Sequence, residues 1–267
     1  MNITDVWGIS GNWAEIYQTC FVPSLIAPWV ARTLALAAPQ PGQRLLDVAC
    51  GTGAVTREAA QIVGPTGRVV GLDPSPEALA VARSGNGQNG GAEIEWWEGV
   101  ADSLPFADGS FDVVTCQFGA MFFPDRVAAL KDMRRVLAKG GRLAVTTWGR
   151  LERNLGNAAM AQAWKERVSP EQAAKLNPPH SLSDPAEIRR MLQEAGFAQI
   201  DVQRQAGRGC FSSIQELVWG YGALSELEAD ESLRDALCAD VARLLDGYCS
   251  ADGLDFPTEA VVAEAYR

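Results

Sequence analysis

The chain has 267 residues, 47% of them hydrophobic and 21% charged, the proportions of an ordinary globular protein. Its net charge is -10 with a sequence pI near 4.7, which argues against a nucleic-acid partner, because gripping a phosphate backbone takes clustered Lys and Arg. No run of about 18 uninterrupted apolar residues occurs, so no membrane partner is expected. The opening MNITDVWGISGNW lacks the basic and apolar regions of an export signal, and a cytoplasmic setting follows as an expectation.

The first segment, residues 1–40, is rich in aromatics, with Trp7, Trp13, Tyr17, Phe21 and Trp29. Pro23, Pro28 and Pro39 are expected to divide it into short helical pieces. From residue 41 to 150, short apolar runs alternate with helical periodicity. Arg44–Ala49 reads as a buried strand and Thr56–Val63 as a helix ended by Gly64-Pro65. Val69–Leu72 is a second strand, after which Ser75 caps a helix with Pro76 at its first position. Ile94–Trp97 and Asp112–Cys116 are further strands. Trp96 and Trp97 are adjacent on the first of these, so they point to opposite faces. Val127, Leu130, Met133 and Val136-Leu137 mark a helix stopped by Gly140-Gly141, and Leu143–Trp148 is the next strand. The stretch SGNGQNGG at 84–91 reads as a loop.

The remainder, 151–267, follows the alternation more loosely. Asp184-Pro185-Ala186-Glu187 opens a helix that Gly196 ends. Ala198–Val202 and Gly209–Phe211 read as two closing strands, Ser213–Gly222 and Glu231–Tyr248 as helices. From Tyr221 to Arg267 there are eleven acidic residues against three Arg, a pattern read as a solvated helical face. Repeated strand–helix alternation gives a single α/β domain. It is expected to be a doubly wound, mostly parallel sheet with helices on both faces and helical cap segments at each end.

The chemistry concentrates in LLDVACGTG, Leu45 to Gly53. An apolar strand ends in Asp47, and glycines at 51 and 53 open a helix whose unpaired N–H groups suit a carboxylate or phosphate. A dinucleotide fingerprint would place Gly where Thr56 stands, and Asp47 at the strand tip would oppose a pyrophosphate. The same anion suits the ammonium of S-adenosylmethionine (SAM), and Asp73 at the next strand tip suits ribose hydroxyls. A nicotinamide-dependent oxidoreductase is therefore the weaker reading, and a SAM-binding protein without transferase activity remains an alternative.

DVACGTG, VVGLDPSPEAL, GVADSLPFADGSFDVV and ALKDMRRVLAKGGRLAVTTW resemble class I SAM-dependent methyltransferases, most closely the ubiquinone/menaquinone-biosynthesis type. The resemblance covers about residues 41–150 and implies a Rossmann-like seven-stranded sheet, SAM as cofactor and methyl transfer to a small-molecule acceptor. It assigns Asp47, Ala49, Cys50, Gly51 and Gly53 to the methionine-binding turn, and Asp73 with Pro74 to ribose and adenine. Ala101 and Asp102 match the adenine-edge loop, where Val100 replaces a common Asp; Asp102 also reads as a plain surface acid. Gln117 and Phe118 match the stretch beside the sulfonium, and Tyr17 and Phe21 are placed nearest the ligand from the amino-terminal segment.

Six cysteines (20, 50, 116, 210, 238 and 249) show no C-x-x-C spacing, and His180 is the only histidine, so no metal is expected. The thiols read as reduced and mostly packed as small hydrophobes. His180 is also the candidate general base. Its NPPH setting is similar to a signature of amino-group methyltransferases, but there the motif follows the fourth strand, a place that CQFG at 116–119 occupies here. Acceptor-pocket walls are sought among Tyr17, Phe122, Trp148, Trp164, Trp219 and Tyr221. Assembly into a homodimer is left open.

Overall fold

The computed structural model describes residues 13–85, 90–225, 227 and 230–267. Trp7, much of the 84–91 loop, and Glu226 and Glu228 of the acidic segment lie outside the described residues. Among the described residues eight strands are formed: β1 Arg44–Val48, β2 Arg68–Asp73, β3 Ile94–Glu98, β4 Phe111–Gln117, β5 Leu137–Trp148, β6 Ala198–Phe211, β7 Cys249–Ser250 and β8 Gly253–Tyr266. Seven of them run in the order β3-β2-β1-β4-β5-β8-β6, and the two-residue β7 pairs with β8 alone. The first five neighbours are parallel. Strand β8 is antiparallel to both β5 and β6. The expected doubly wound sheet is thus present.

Alternation along the parallel strands divides the core. Leu45, Val69, Val113 and Ala144 face one side with Val55, Ala59 and Val63 of helix α2 (Ala54–Val63). Leu46, Val48, Val70, Val114 and Val145 face the other with Leu130, Met133 and Ile188. The strands are buried on both faces because crossover helices cover both, which is why they read as continuous apolar runs. Ser75 caps helix α3 (Pro76–Ser84), its hydroxyl accepting the Ala78 N–H at 3.1 Å, and Asp184 likewise caps its helix through the Ala186 N–H.

Four expectations need correction. Pro23 and Pro28 do not divide the first segment: helix α1 runs unbroken over Trp13–Ala37. Its Tyr17–Ile26 stretch winds as a π-helix around Pro23, and the wider turn accommodates a residue that lacks an N–H and clashes in tighter winding. This helix is long and apolar enough to cross a bilayer by length and composition, but most of it is buried in the protein, with Trp29, Val30, Thr33 and Leu34 in the core. Second, the helix Arg126–Val136 ends before Gly140-Gly141. Leu137 already pairs with Phe111, and 138–141 bulge out of β5 before Arg142 meets Val113. Third, the two closing strands are one, β6.

Fourth, the carboxy-terminal segment is only partly helical. Helix α9 (Glu231–Leu244) is followed by the β7–β8 hairpin, and β8 is inserted inside the sheet. Pro257 is tolerated there because β5 pairing stops at Ala260, leaving β8 a single neighbour at that point. The acids of this end are accordingly not one helical face: Asp255 and Glu259 pair with Arg208 and Arg204 across strands, while Asp240 pairs with Arg167. Of the cysteines, Cys20, Cys50 and Cys116 are buried, but Cys210 and Cys249 are exposed.

Candidate active site

The carboxyl ends of β1, β2 and β4 open onto a cavity of about 320 Å³, where ligands sit in open α/β sheets. Asp47, at the end of β1, is 1% exposed. Its Oδ2 accepts the Thr56 hydroxyl at 2.6 Å and its Oδ1 the Thr115 hydroxyl at 2.8 Å. Asp73, closing β2, accepts the Gly51 N–H at 2.8 Å on Oδ2 and the Ser75 N–H at 2.9 Å on Oδ1. Burial outweighs these hydrogen bonds and pushes both carboxyls up to about 6, with the Asp73 charge adding to the rise at Asp47.

The turn between β1 and α2 is held in an uncommon conformation. Ala49 has φ 57°, Gly51 φ 54° and Gly53 φ 87°. For an Ala this region costs on the order of 1 kcal/mol, and the turn is pinned by the Cys50 N–H donating to the Leu72 carbonyl at 3.0 Å and by the Gly51–Asp73 bond. A side chain at Gly51 would meet nothing within 4 Å, so its backbone is open to a ligand, whereas one at Gly53 would sit 2.5 Å from the Trp96 ring. Gly53 does not line the cavity; it shapes the start of α2. The Thr52 hydroxyl beside it is buried without a partner among the described residues and borders the cavity.

Phe118, just past β4, is the second strained residue, with φ 54° and its N–H donated to the Thr146 carbonyl at 2.7 Å. Gln117 is held from both sides: its Oε1 accepts the Thr33 hydroxyl at 2.6 Å and its amide donates to the Ile26 carbonyl of α1. Both border the cavity, as do Ala49, Cys50, Pro74, Ala101, Asp102 and Tyr17. Burial, then the nearby Asp73, holds the Tyr17 phenol well above its ordinary range.

A second compartment of about 80 Å³ adjoins the first, with Trp13, Tyr17, Ile26, Phe118 and Phe122 bordering both. Phe21 and Trp148 line this one rather than the first, and Trp148 stacks on Phe118 at 3.8 Å between ring centroids. Tyr221 is also in its wall. Trp164 is fully buried core and Trp219 is 51% exposed, so neither of these two expected walls borders either compartment. Trp219 fails because its helix, Ile214–Leu224, turns Leu217, Val218 and Tyr221 inward instead.

His180 is buried and borders neither cavity. Its Nδ1 lies 2.7 Å from the Gly149 carbonyl and its Nε2 2.9 Å from the Asn157 amide nitrogen. With both ring nitrogens engaged inside the protein, the ring is not poised to take a proton from a molecule in either space. Burial also lowers its pKa below the ordinary histidine value.

A family model described as the ubiE/COQ5 methyltransferase family matches residues 24–214. The chain belongs to that family. A demethylmenaquinone methyltransferase of Lactococcus lactis is 41% identical over 115 residues, 43% of this chain and 46% of that protein. A ubiquinone/menaquinone biosynthesis C-methyltransferase of Shewanella frigidimarina is 32% identical over 186 residues, 65% of this chain and 73% of that protein. The match thus spans about half the length of the first relative. Among solved structures, a phosphoethanolamine N-methyltransferase of Haemonchus contortus in complex with S-adenosylhomocysteine shares the fold. It has a TM-score of 0.60, 22% identity, and coverage of 95% of this chain and 56% of that one.

Against the family pattern, sequence reasoning missed the three threonines. Thr56 occupies the position where a dinucleotide turn has Gly, and here its hydroxyl secures Asp47. Thr115 sits two residues before Gln117 on β4, and nothing in a strand of VVTCQ marks it out. Thr52 lay inside the quoted motif between its two glycines.

Proposed function

We propose that this chain is a SAM-dependent methyltransferase acting on a small-molecule acceptor, with the cofactor in the larger cavity and the acceptor entering from the aromatic side. The observation that carries this reading is the convergence of two buried carboxylates, from neighbouring strand tips, on one open cavity. Burying two acids side by side is costly unless something cationic or hydrogen-bonding meets them. An α-amino group matches Asp47, ribose hydroxyls match Asp73, and the unpartnered Thr52 hydroxyl suits a carboxylate near the start of α2. Ala101 and Asp102 are then the adenine neighbours, with Pro74 against the ring.

When bound, SAM would supply an electrophilic methyl carbon on a sulfonium, with Asp47 holding its amine and Asp73 its ribose. The protein's share is alignment and exclusion of water. Phe118, fixed by its strained backbone and its stack on Trp148, and Tyr17 border both spaces and so stand where donor and acceptor would meet. No histidine serves as base in this scheme, because His180 borders neither cavity.

The test is incubation of the protein with methyl-labelled SAM and fractionated metabolites, followed by mass analysis for a product gaining one methyl group. SAM binding with a labelled product supports the reading. Absence of SAM binding at millimolar concentration overturns it.

A further inference from the structure

One hydrogen-bond chain of the molecule has no part in holding SAM. It starts at the Gly149 carbonyl just past β5, passes through His180 to Asn157 on helix α5 (Leu155–Arg167), and ends at Tyr221. A carbonyl only accepts, so His180 Nδ1 carries a proton. The ring is neutral in its buried setting, which leaves Nε2 as an acceptor, and Asn157 must turn its NH₂ toward it. The amide oxygen of Asn157 then faces the other way and accepts the Tyr221 hydroxyl. Each link fixes the next, so the Gly149 carbonyl decides which way an amide on another element points.

The far end of this chain matters because Asn157 and Tyr221 stand in the wall of the aromatic compartment, where the other lining side chains among the described residues are apolar or aromatic, with the Tyr17 phenol and the Trp13 and Trp148 indole N–H groups their only polar atoms. Asn157 is 9% exposed. One of its two Nδ2 protons goes to His180, and the second has no protein partner among the described residues. An unmet donor buried in an otherwise apolar wall is destabilising, and a hydrogen-bond acceptor on an incoming molecule would relieve it.

We propose that Asn157 is the specificity-determining residue of the acceptor compartment, reading a hydrogen-bond-accepting atom on an uncharged substrate, and that His180 is the positioning residue that holds Asn157 in its donor orientation. This deepens the proposed function and rests on it only in assigning the compartment to the acceptor. A charged substrate is disfavoured because, among the described residues, no lining side chain offers a counter-charge.

Two measurements test this. Because His180 is the only histidine, selective ¹⁵N-histidine labelling of the tag-free protein gives the signals of one ring. The expected result is the neutral tautomer protonated at Nδ1 at pH 7; an Nε2-protonated ring would overturn the proposal, since Asn157 would then present its oxygen to His180. The second measurement titrates acetophenone and its carbonyl-free counterpart ethylbenzene by ligand-observed NMR in the presence of SAM. Acetophenone should bind about tenfold more tightly, the worth of one buried hydrogen bond, and benzoate should bind more weakly than either. In Asn157→Leu and His180→Phe that preference should vanish while ethylbenzene still binds. Wild-type protein that fails to distinguish the two neutral probes overturns the proposal, as does a His180→Phe variant that keeps the preference. SAM affinity is measured separately in each protein, which reports folding and keeps failure of the methyltransferase reading apart from failure of this one.

Discussion

The two cavities share five bordering residues but are made of different materials. The larger is framed by strand tips, by backbone turned into the left-handed region at Ala49, Gly51 and Phe118, and by two buried carboxyls. The smaller is framed by rings, with a neutral amide and phenol as its main polar groups. The first recognises charge and offers its polar atoms at fixed points; the second recognises shape. Titration and charge removal should therefore act on the first and leave the second nearly untouched.

The sharpest way to break that contrast is Asp73→Ala. It removes a ribose partner and leaves the Gly51 and Ser75 N–H groups unmet, so SAM should bind about 100-fold more weakly in calorimetry, with ethylbenzene binding unchanged. Gly53→Ala comes next. Its φ of 87° and the Trp96 ring 2.5 Å from the new carbon predict a loss of about 2 kcal/mol in urea denaturation. A neutral result would mean the turn is not as tightly fixed as its geometry indicates.

The pH effect is smaller and has a defined sign. Both folded carboxyls titrate at about 6, above their ordinary value near 3.8. The empty fold therefore binds protons more readily than the unfolded chain, and this contribution favours the folded state as pH falls from about 6 toward 4. The ligand has the opposite demand, since an ammonium pairs with the ionised form. SAM should bind about tenfold more weakly at pH 5 than at pH 7.5, and its Tm shift should shrink accordingly; an unchanged Kd would remove the carboxylates from the recognition. Trp219→Ser is the smallest. The ring is exposed and borders neither cavity, so stability should stay within about 0.5 kcal/mol and labelled-methyl transfer at wild-type level.

The parallel half of the sheet was legible because it is buried on both sides: Leu45–Val48, Val69–Leu72 and Phe111–Cys116 are mostly apolar, broken only by Asp47, Gly71, Asp112 and Thr115, and the Asp47–Gly53 turn carries its chemistry in consecutive residues. The antiparallel half was hidden by one-sided burial. In β6, the run Gln203–Arg208 is polar because its outer edge faces water, and in β8 the acids at 255, 259 and 264 with Pro257 break the expected alternation. Trp219 and Trp164 show the limit for sites: composition says an aromatic is present, not which face of its helix it occupies. His180 stands out for its chemistry, but its partners Gly149 and Asn157, and Tyr221 beyond Asn157, lie about 20 to 40 residues away on either side, and no local pattern links them.

The insertion of β8 between β5 and β6 has a consequence for the order of assembly. Among the described residues strand β6 joins the sheet only through β8, which follows it by about 40 residues. On a ribosome adding roughly 5–20 residues per second, β6 waits for several seconds as a long unpaired ribbon while β1 to β5 can already close. Arg204 and Arg208 lie on that ribbon and later meet Glu259 and Asp255 of β8. During the wait their unpaired charges discourage β6 from joining a stray strand of another nascent chain. The same two side chains thus guard the strand before its partner arrives and fasten it afterwards.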